Sequence, residues 1–450
     1  MLDLSDISNK TDFIVSHAKK IGADQVEVLG QISSEFEVNV RDKVVENISH
    51  NTTKGLGLKI IFGKKTAFSS TTDWDFETLI DLTNHTFEAA KYSTPDEFNA
   101  LSENQKPYFD HDLDLRDPSI FEVENQKRLD QALELSVLAS EINPKIKSIQ
   151  SASVSYTDGY SFYSNSKGLF LEKKLSVISN SLQVLASENG QNQIAGWYDH
   201  ARYEVDLESN KIIAETAVKR SVDRLNPRKI KTGKYRVVFD PSTASSFFAS
   251  IFPAFSGEMV NKGASFLYDD LSRLTASEIL TITDEPHVIR GLGSKIWDAD
   301  GNPTQRNILI NNGIITKFLY DEYYARKTGN SSTGNGIRSY KSTSGIGFHC
   351  LMVKPGSQTF SDLLKAVGTG ILITGTIGFG VDTVSGNYSK GAFGWFIENG
   401  ELSFPISDFT IADHLKNMLK NIVMVSNDAR KNGSVLSPSV LFSDMTIAGE

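Results

Sequence analysis

The stretch from residue 25 to residue 70, QVEVLGQISSEFEVNVRDKVVENISHNTTKGLGLKIIFGKKTAFSS, decides the fold class of this chain. It contains five short runs in which apolar and polar residues alternate, and Gly, Asp, Asn or Lys separates each run from the next. Alternation with a period of two is typical of strands with one buried face, and closely spaced turn residues favour antiparallel pairing. We therefore predict an antiparallel meander of QVEVLGQ, EFEVNVRD, VVENIS, GLGLKII and TAFSS.

The pattern around this meander recurs downstream. A helix is expected before it, and a second helix starts near Asp73. A helix with apolar residues at Leu129, Leu133 and Val137 then precedes four strand-like runs, and IIAETAVKRSVDRL forms the closing helix. The runs are SIQSASVSYTD, YSFYSNS, LFLEKKLSVISNSLQVLAS and GWYDHARYEVD, of which the third is one long strand or a pair joined by a bulge. The chain thus begins with two helix–meander–helix units that share no residue-level repeat.

Two segments have the composition of linkers, and the chain changes character after the second. Residues 93–118 are rich in Pro, Asp, Asn and Ser, while residues 224–234 read RLNPRKIKTGK and are interpreted as a solvated interdomain linker. From Tyr235 onward we predict strands, many glycines and one late helix over 410–424. The apolar stripe of that helix is Ile411, Leu415, Met418, Leu419 and Ile422.

These elements predict an α+β protein with antiparallel sheets and flanking helices. The predicted domains are an N-terminal helix–meander–helix domain over 1–115, a central one over 116–228 and a larger β-rich C-terminal domain over 229–450. Two-residue turns are expected at Asn312-Gly313 and Asn399-Gly400, because both central positions of such hairpin turns favour positive φ.

Composition excludes several classes of protein. The chain has 39% hydrophobic and 22% charged residues, as ordinary soluble proteins do, and no apolar run reaches the ~20 residues of a membrane span. The polar, acidic N-terminus is not a secretory signal, so a cytoplasmic location is expected. Cys350 is the only cysteine, which excludes internal disulfides and multi-cysteine metal cages. A net charge of −9 argues against direct nucleic-acid binding.

Common catalytic and nucleotide-binding motifs do not occur. There is no phosphate-binding loop, no dinucleotide fingerprint and no G-x-S-x-G nucleophile elbow. No two histidines form an H-E-x-x-H helix. The eight histidines are scattered along the chain: His17, His50, His85, His111, His200, His287, His349 and His414.

A few polar groups remain as candidates for an enzyme with another chemistry. His349 and Cys350 adjoin, but neighbouring side chains on a strand point to opposite faces. Residues 298–302 read D-A-D-G-N and resemble the start of a calcium loop, yet they lack the remaining spacing and are expected to form a turn. Three carboxylate pairs, each readily explained as a turn or a solvated face, complete the set: Asp269-Asp270, Asp321-Glu322 and Glu398/Glu401.

Several linked blocks resemble the TldD/PmbA metallopeptidase family. The order and spacing of the blocks agree with the family over most of the chain, most weakly in residues 93–200. The blocks are GLGLKIIFGKKTAFSSTTDWD, GKYRVVFDPSTASSFF, WDADGNPTQRNILINNGIITKFLYDEYYARKTGNSSTGNG, KPGSQTFSDLLKAVGTGILIT, GVDTVSGNYSKGAFGWFIENGE, TIADHLKNMLKNIVMVSNDAR and MTIAGE.

The chain departs from the catalytic members of this family at both halves of their zinc site. Those members carry an H-E-x-x-x-H helix after the strand that corresponds to RVVFDP. In this chain the window reads Phe248-Ala249-Ser250-Ile251-Phe252-Pro253, so Phe248 and Pro253 stand at the histidine positions and Ala249 at the glutamate. The family's cysteine-bearing segment corresponds to residues 432–438, NGSVLSP, which lack cysteine. The resemblance therefore implies the PmbA/TldE-type subunit, with no catalytic or metal-binding residue of its own.

The resemblance also implies partners and a role. We expect a non-catalytic subunit of a cytoplasmic heteromeric metallopeptidase that cleaves unfolded or leader peptides, with zinc on a TldD-like partner and no cofactor on this chain. Extended peptides are the expected ligands, and a homodimer is the assembly expected in the partner's absence. The alternative is a regulator that binds peptides or proteins without proteolysis, since family members are also called modulators of DNA gyrase.

Overall fold

The computed structural model describes residues 4–103 and 112–450. His111 and residues 104–110 of the predicted linker lie outside the described residues. The predicted α+β class is confirmed, because helices pack on sheets whose strands are almost all antiparallel. Within the two described ranges, no helix is both long enough and apolar enough to cross a membrane.

The two helix–meander–helix units build one six-stranded sheet in the order β3-β2-β1-β4-β5-β6. The first unit consists of α1 (Leu4–Lys20), β1 (Gln25–Arg41), β2 (Val44–Phe62), β3 (Lys65–Thr71) and α2 (Phe76–Tyr92). The second consists of α3 (Asn125–Ile142), β4 (Ile146–Asn165), β5 (Phe170–Glu188), β6 (Gln191–Ala201) and α4 (Asn210–Val222). The units meet through antiparallel pairing of their first strands, β1 and β4. They therefore share a continuous sheet, while the domain boundaries drawn from the sequence stay predictions.

Each meander has three long strands, where the sequence predicted five and four. β1 continues through Ser33-Ser34, and β4 continues through Asp158-Gly159. Both strands are paired on each side in these regions, so the ladder bonds hold the polar residues extended. The predicted run 169–187 is one strand, β5, rather than a bulged pair.

The three apolar residues from which helix α3 was predicted are not the ones that it buries. Leu129 and Leu133 are only partly buried and Val137 is exposed. Small residues let α3 lie close to the sheet, and the Arg128 guanidinium covers the Tyr156 ring at 4.6 Å. The buried side consists of Arg128, Ala132, Leu135, Ser136 and Ala139.

The C-terminal unit contains two larger sheets and a two-stranded one. The six-stranded sheet has the order β16-β15-β14-β7-β19-β17 and closes on itself because β16 also pairs with β19. The five-stranded sheet has the order β10-β9-β8-β13-β18. The helices are α5 (Pro241–Ile251), α6 (Gly257–Asn261), α7 (Glu322–Thr328), α8 (Phe360–Val367) and α9 (Leu415–Lys420). The strands are β7 (Gly233–Phe239), β8 (Ile282–Asp284), β9 (Asn307–Asn311), β10 (Ile314–Ile315), β11 (Gly336–Ile337), β12 (Gly345–Ile346), β13 (Leu351–Val353), β14 (Gly370–Ile377), β15 (Asn387–Glu398), β16 (Glu401–His414), β17 (Ile422–Val425), β18 (Val435–Leu436) and β19 (Val440–Ala448).

The late helix predicted over 410–424 is wrong. That stretch comprises the end of β16, the short helix α9 and the start of β17. Ile411 lies on β16 between β15 and β19, so two ladders hold it extended. All five residues of the predicted stripe are nevertheless buried in the main C-terminal core. The apolar residues are spaced as in a helix because β16, α9 and β17 each direct apolar side chains into the same core.

A buried ion pair fastens the C-terminal unit to the first sheet. Arg338, just after β11, donates to Glu27 of β1 at 2.6 Å, and both side chains are at most 2% exposed. The hydroxyl of Tyr163 also donates to Glu27, at 3.0 Å. Beside them the ring of Tyr340 packs directly against Gly55. A Cβ on residue 55 would lie only 2.0 Å from that ring, so a side chain there would clash. The C-terminal unit is thus docked on β1 and β2.

Candidate functional site

The turn from strand into helix, which the family resemblance singled out, is held by Asp240. This residue caps α5 by accepting from the backbone N–H of Thr243 at 2.7 Å, and Pro241 occupies the first helical position. The other carboxylate oxygen of Asp240 accepts from Arg220 of α4 at 2.8 Å. Helix α5 therefore starts at a fixed point directly after β7.

Residues 248–253 pack into the core on one side and are exposed to solvent on the other. Phe248 is 0% exposed and contacts Phe247, with ring centroids 5.1 Å apart. Ala249 is partly buried, and Pro253 is exposed on the single 3₁₀ turn that follows α5. The residues at the two predicted histidine positions thus point into the core and into solvent.

Residues 432–438 lie against this helix. β18 pairs in parallel with β13, and the N–H of Ser437 donates to the hydroxyl of Ser245 on α5 at 3.2 Å. The structure therefore brings together the two segments that the family resemblance singled out, although they are far apart in the chain.

The side chains at this meeting point do not fit a zinc ion. Zinc sites in proteins use imidazole, thiolate or carboxylate ligands. The two segments offer instead a buried ring at Phe248, a methyl group at Ala249, a pyrrolidine at Pro253 and the hydroxyls of Ser245 and Ser437. Throughout residues 4–103 and 112–450, no three His, Cys, Asp or Glu side chains are grouped so that they could hold a metal ion.

His349 and Cys350 have separate structural partners. They lie in a bend before β13, not on a strand as predicted. The ring of His349 bonds through Nδ1 to Asp284 at 2.7 Å, and burial lowers its pKa against the opposing effect of that carboxylate. The thiol of Cys350 lies 3.6 Å from the hydroxyl of Ser294, and burial raises its pKa. A neutral, enclosed thiol of this kind is a poor nucleophile.

The D-A-D-G-N segment forms a buried turn. Both oxygens of Asp298 accept backbone N–H bonds, among them one from Gly336 at 2.9 Å. Burial, and then the charge of Asp300, raise the pKa of Asp298 well above its usual value. Burial and Asp300 also raise the pKa of Asp321 to about 7. These carboxyl groups bond to the protein's own backbone, as expected for a turn.

The remaining carboxylates also have structural partners. Asp321 caps α7 by accepting from the N–H of Tyr324 at 2.8 Å, and its neighbour Glu322 pairs with Arg326 at 2.6 Å. Asp270 pairs with Lys416, also at 2.6 Å. Glu398 and Glu401 face each other at the end of the β15–β16 hairpin, across the predicted turn at Asn399-Gly400. Each pair serves a cap, a turn or a surface contact.

The sequence did not single out Lys173 on β5. Its side chain lines a pocket of about 350 Å³ and lies 5.9 Å from the ring of Trp297. Burial, with Lys295 and Arg202 adding positive charge, lowers the pKa of Lys173 to about 7. The sequence does contain an indication of this residue: Lys173 occupies an apolar position in the alternating pattern that includes Leu169, Leu171 and Leu175.

Family models match the chain in three consecutive segments. The model described as PmbA/TldA metallopeptidase domain 1 matches residues 26–90, the central-domain model matches 118–225, and the C-terminal-domain model matches 232–449. The metalloprotease PmbA of Escherichia coli O157:H7 is 31% identical over 429 residues, which cover 95% of this chain and 93% of that protein. A PmbA homologue of Haemophilus influenzae is 30% identical, covering 99% of this chain and 96% of that protein.

Solved structures share the fold along almost the whole chain. A candidate modulator of DNA gyrase from Bacteroides thetaiotaomicron superposes with a TM-score of 0.91 at 26% identity, covering 98% of this chain and 99% of that chain. TldE from Thermococcus kodakarensis has a TM-score of 0.86 at 24% identity, covering 98% and 100%.

Proposed function

Since the chain belongs to the PmbA/TldD metallopeptidase family, as its sequence predicts, we propose that it is the metal-free, PmbA/TldE-like subunit of a heteromeric metallopeptidase. In this proposal a TldD-like paralogue carries the zinc, and the assembly cleaves unfolded or leader peptides in the cytoplasm. This chain supplies part of the chamber wall and a surface that holds extended peptide.

The observation that carries the proposal is that the two segments where the resemblance expects metal ligands meet in the structure and contain no histidine, cysteine, aspartate or glutamate. Phe248 is part of the core, so its ring has a packing role that an imidazole could not fill. Residues 432–438 remain attached to α5 through the Ser437–Ser245 hydrogen bond, yet they contain no thiol. Loss of a single ligand would suggest a damaged enzyme. Loss at both segments, with the scaffold preserved, favours a subunit specialised for another task.

Peptide holding is supported by the architecture of the sheets. Unpaired strand edges bind extended peptides through main-chain hydrogen bonds, which accept many sequences. A subunit that works on varied unfolded segments needs this kind of recognition more than it needs deep side-chain pockets.

Purification of the chain alone, and together with a TldD-like chain from the same cell, tests the proposal. Zinc content and cleavage of an unstructured peptide are measured for both preparations. We expect zinc and cleavage only in the paired preparation, and chelation should abolish the cleavage. Stoichiometric zinc with chelator-sensitive cleavage by the lone chain would overturn the proposal.

A second function is favoured by one comparison. The Bacteroides thetaiotaomicron protein that shares the fold is named a candidate modulator of DNA gyrase. A regulator of that type would bind peptides or proteins without cleaving them. Affinity capture with this chain, repeated in a strain that lacks the TldD-like paralogue, distinguishes the two functions. Stable recovery of gyrase subunits without the paralogue would favour the regulator.

A further inference from the structure

A pocket lies where β5 extends beyond its partner β6. Residues 112–116 form one wall, and residues 172–174 with Ile296 form the other. Its volume of about 350 Å³ falls within the range of pockets that bind small ligands. The pocket is separate from α5 and from residues 432–438, where the family places its metal.

One wall of this pocket is the edge of β5 that faces away from β4. The last pairing of β5 with β6 at this end joins Ile178 to Ala201. Just beyond it, the N–H of Ser176 donates to Leu115 and its carbonyl accepts from Arg202, so the main chain of Ser176 points away from β4. Since main-chain groups of alternate residues point the same way, those of Glu172 and Lys174 also point to this edge. In the described part of the chain, no group pairs with them there.

Lys173 brings to this pocket an amine that has no counter-ion among the described residues. Lys173 makes no hydrogen bond or ion pair with any described residue, and its nearest ring is Trp297, 5.9 Å away. The acidic groups beside it have other partners: Asp114 pairs with Arg290 at 2.6 Å, and Glu172 accepts from Tyr160 at 2.9 Å. An incoming carboxylate would therefore find one unpaired cation and little repulsion.

We propose that this pocket docks an extended peptide, with the edge of β5 binding its main chain and Lys173 binding a carboxylate. The inference rests on the proposed function and names the chemical group that this surface selects. A peptide added antiparallel or parallel to β5 would exchange hydrogen bonds with Glu172 and Lys174. The amine and the carboxylate would then form a charge-assisted hydrogen bond in a partly enclosed site.

The low pKa of Lys173, about 7, gives the site a pH dependence. A carboxylate binds the protonated amine, so binding is strongest below the pKa and weakens as the pH rises above it. Besides Asp114 and Glu172, five charged groups line the pocket or act on the amine. They are Asp112, Arg116, Lys174, Lys295 and Arg202.

Three fluorescently labelled tetrapeptides test the proposal on the full chain by fluorescence anisotropy. They are tetra-alanine with a free carboxylate, tetra-alanine with a carboxamide end, and the amide with glutamate at the third position. We expect the free acid to bind at least about tenfold more tightly than the plain amide at pH 6.5, and the preference to shrink at pH 8.5. Tighter binding of the glutamate peptide instead would identify a side chain, rather than a peptide end, as the source of the carboxylate.

The matched variants are Lys173→Met and Lys211→Met. Lys173→Met should remove the preference for a carboxylate, while Lys211→Met should keep it, because Lys211 is exposed on α4 and does not line the pocket. On the unaltered chain, NMR of reductively ¹³C-methylated lysines should show the pKa of Lys173 rising when the acid peptide is added, but not when the amide is added.

Two outcomes overturn the inference in distinguishable ways. Equal binding of acid and amide peptides, or a preference unchanged in Lys173→Met, overturns it and leaves peptide holding intact. Failure of all three peptides to bind, whether the chain is alone or with the TldD-like paralogue, overturns the inference and the proposed peptide-holding role together.

Discussion

The surroundings of Asp321 shift its pKa in two opposite directions. As the cap of α7 it accepts a backbone N–H, which favours the charged form. Burial and the neighbouring Asp300 favour the neutral form more strongly, and they raise its pKa to about 7. The folded protein therefore binds a proton on Asp321 under conditions where the unfolded chain has released it.

Asp321→Asn should stabilise the protein at neutral and alkaline pH. The carboxyl ionises near pH 3.8 when unfolded and near pH 7 when folded, so its contribution to stability falls as the pH rises through that window. Asparagine keeps the cap and removes the charge. Urea unfolding should show no difference at pH 4 and a gain of up to about 4 kcal/mol at pH 8, since a difference of one pKa unit corresponds to about 1.4 kcal/mol.

Asp269→Asn is the matched control, because this carboxylate is exposed. It should change the free energy of unfolding by less than about 0.5 kcal/mol at either pH. A gain from Asp321→Asn that is the same at pH 4 and pH 8 would contradict the assigned burial. The sequence predicted a turn or a surface for the Asp321-Glu322 pair. It could not show that the D-A-D-G-N turn folds against α7 and encloses the carboxyl.

Helix α5 lies where the resemblance places a metal-binding helix in catalytic members, and its inner face is part of the core. Phe247 and Phe248 pack beside Phe442 of β19, the outer face carries Ser246, and Pro253 is exposed on the 3₁₀ turn that follows. The strand, the cap and the helix could be predicted from RVVFDPSTASSFF, because local signals define them. The depth of Phe248 depends on strands from distant parts of the chain.

Phe248→His should not restore a zinc ligand but should destabilise the protein. An imidazole there loses ring packing and buries a polar group without a partner, at a cost of about 3 kcal/mol or more. Urea unfolding and zinc content measure the two effects. Ser246→His, on the exposed face of the same helix, should cost less than about 0.5 kcal/mol. Equal stability of the two variants would show that Phe248 is not part of the core.

Longer-range pairing explains where element prediction failed. The breaks expected at Ser33-Ser34 and Asp158-Gly159 do not exist, because each lies in a strand with partners on both sides. The apolar spacing at 411–422 mimicked a helix although Ile411 belongs to a strand. Composition and the spacing of apolar residues predicted the α+β class correctly. Strand lengths, however, depend on pairing between units that are distant in sequence.

The contact between Glu27 and Arg338 is one of those that join the C-terminal unit to the first sheet. This ion pair joins β1 to the segment after β11 and is enclosed on all sides, since both side chains are at most 2% exposed. Lys59 adds a second positive charge at 3.5 Å. A pair this deep tolerates the loss of both partners better than the loss of one.

Arg338→Met should cost about 3–5 kcal/mol, because it leaves Glu27 charged and buried. The double variant Glu27→Met/Arg338→Met should recover most of that loss. Equilibrium urea unfolding of the single and double variants gives the coupling free energy. Lys211→Met breaks an exposed pair with Glu215 and should cost less than about 0.5 kcal/mol. A double variant as unstable as Arg338→Met would show that the loss does not come from leaving Glu27 charged and buried.

The closure of the C-terminal sheet also governs the order of events during synthesis. The two meanders of the first sheet are complete once Ala201 has left the ribosome, so that sheet can form early. β7 pairs with β14 and with β19, whose Ile447 aligns with Gly233. Until β14 and β19 have been synthesised, β7 therefore has unpaired apolar edges. Such edges favour slow folding and aggregation. Chaperone demand should accordingly concentrate on this half of the nascent chain.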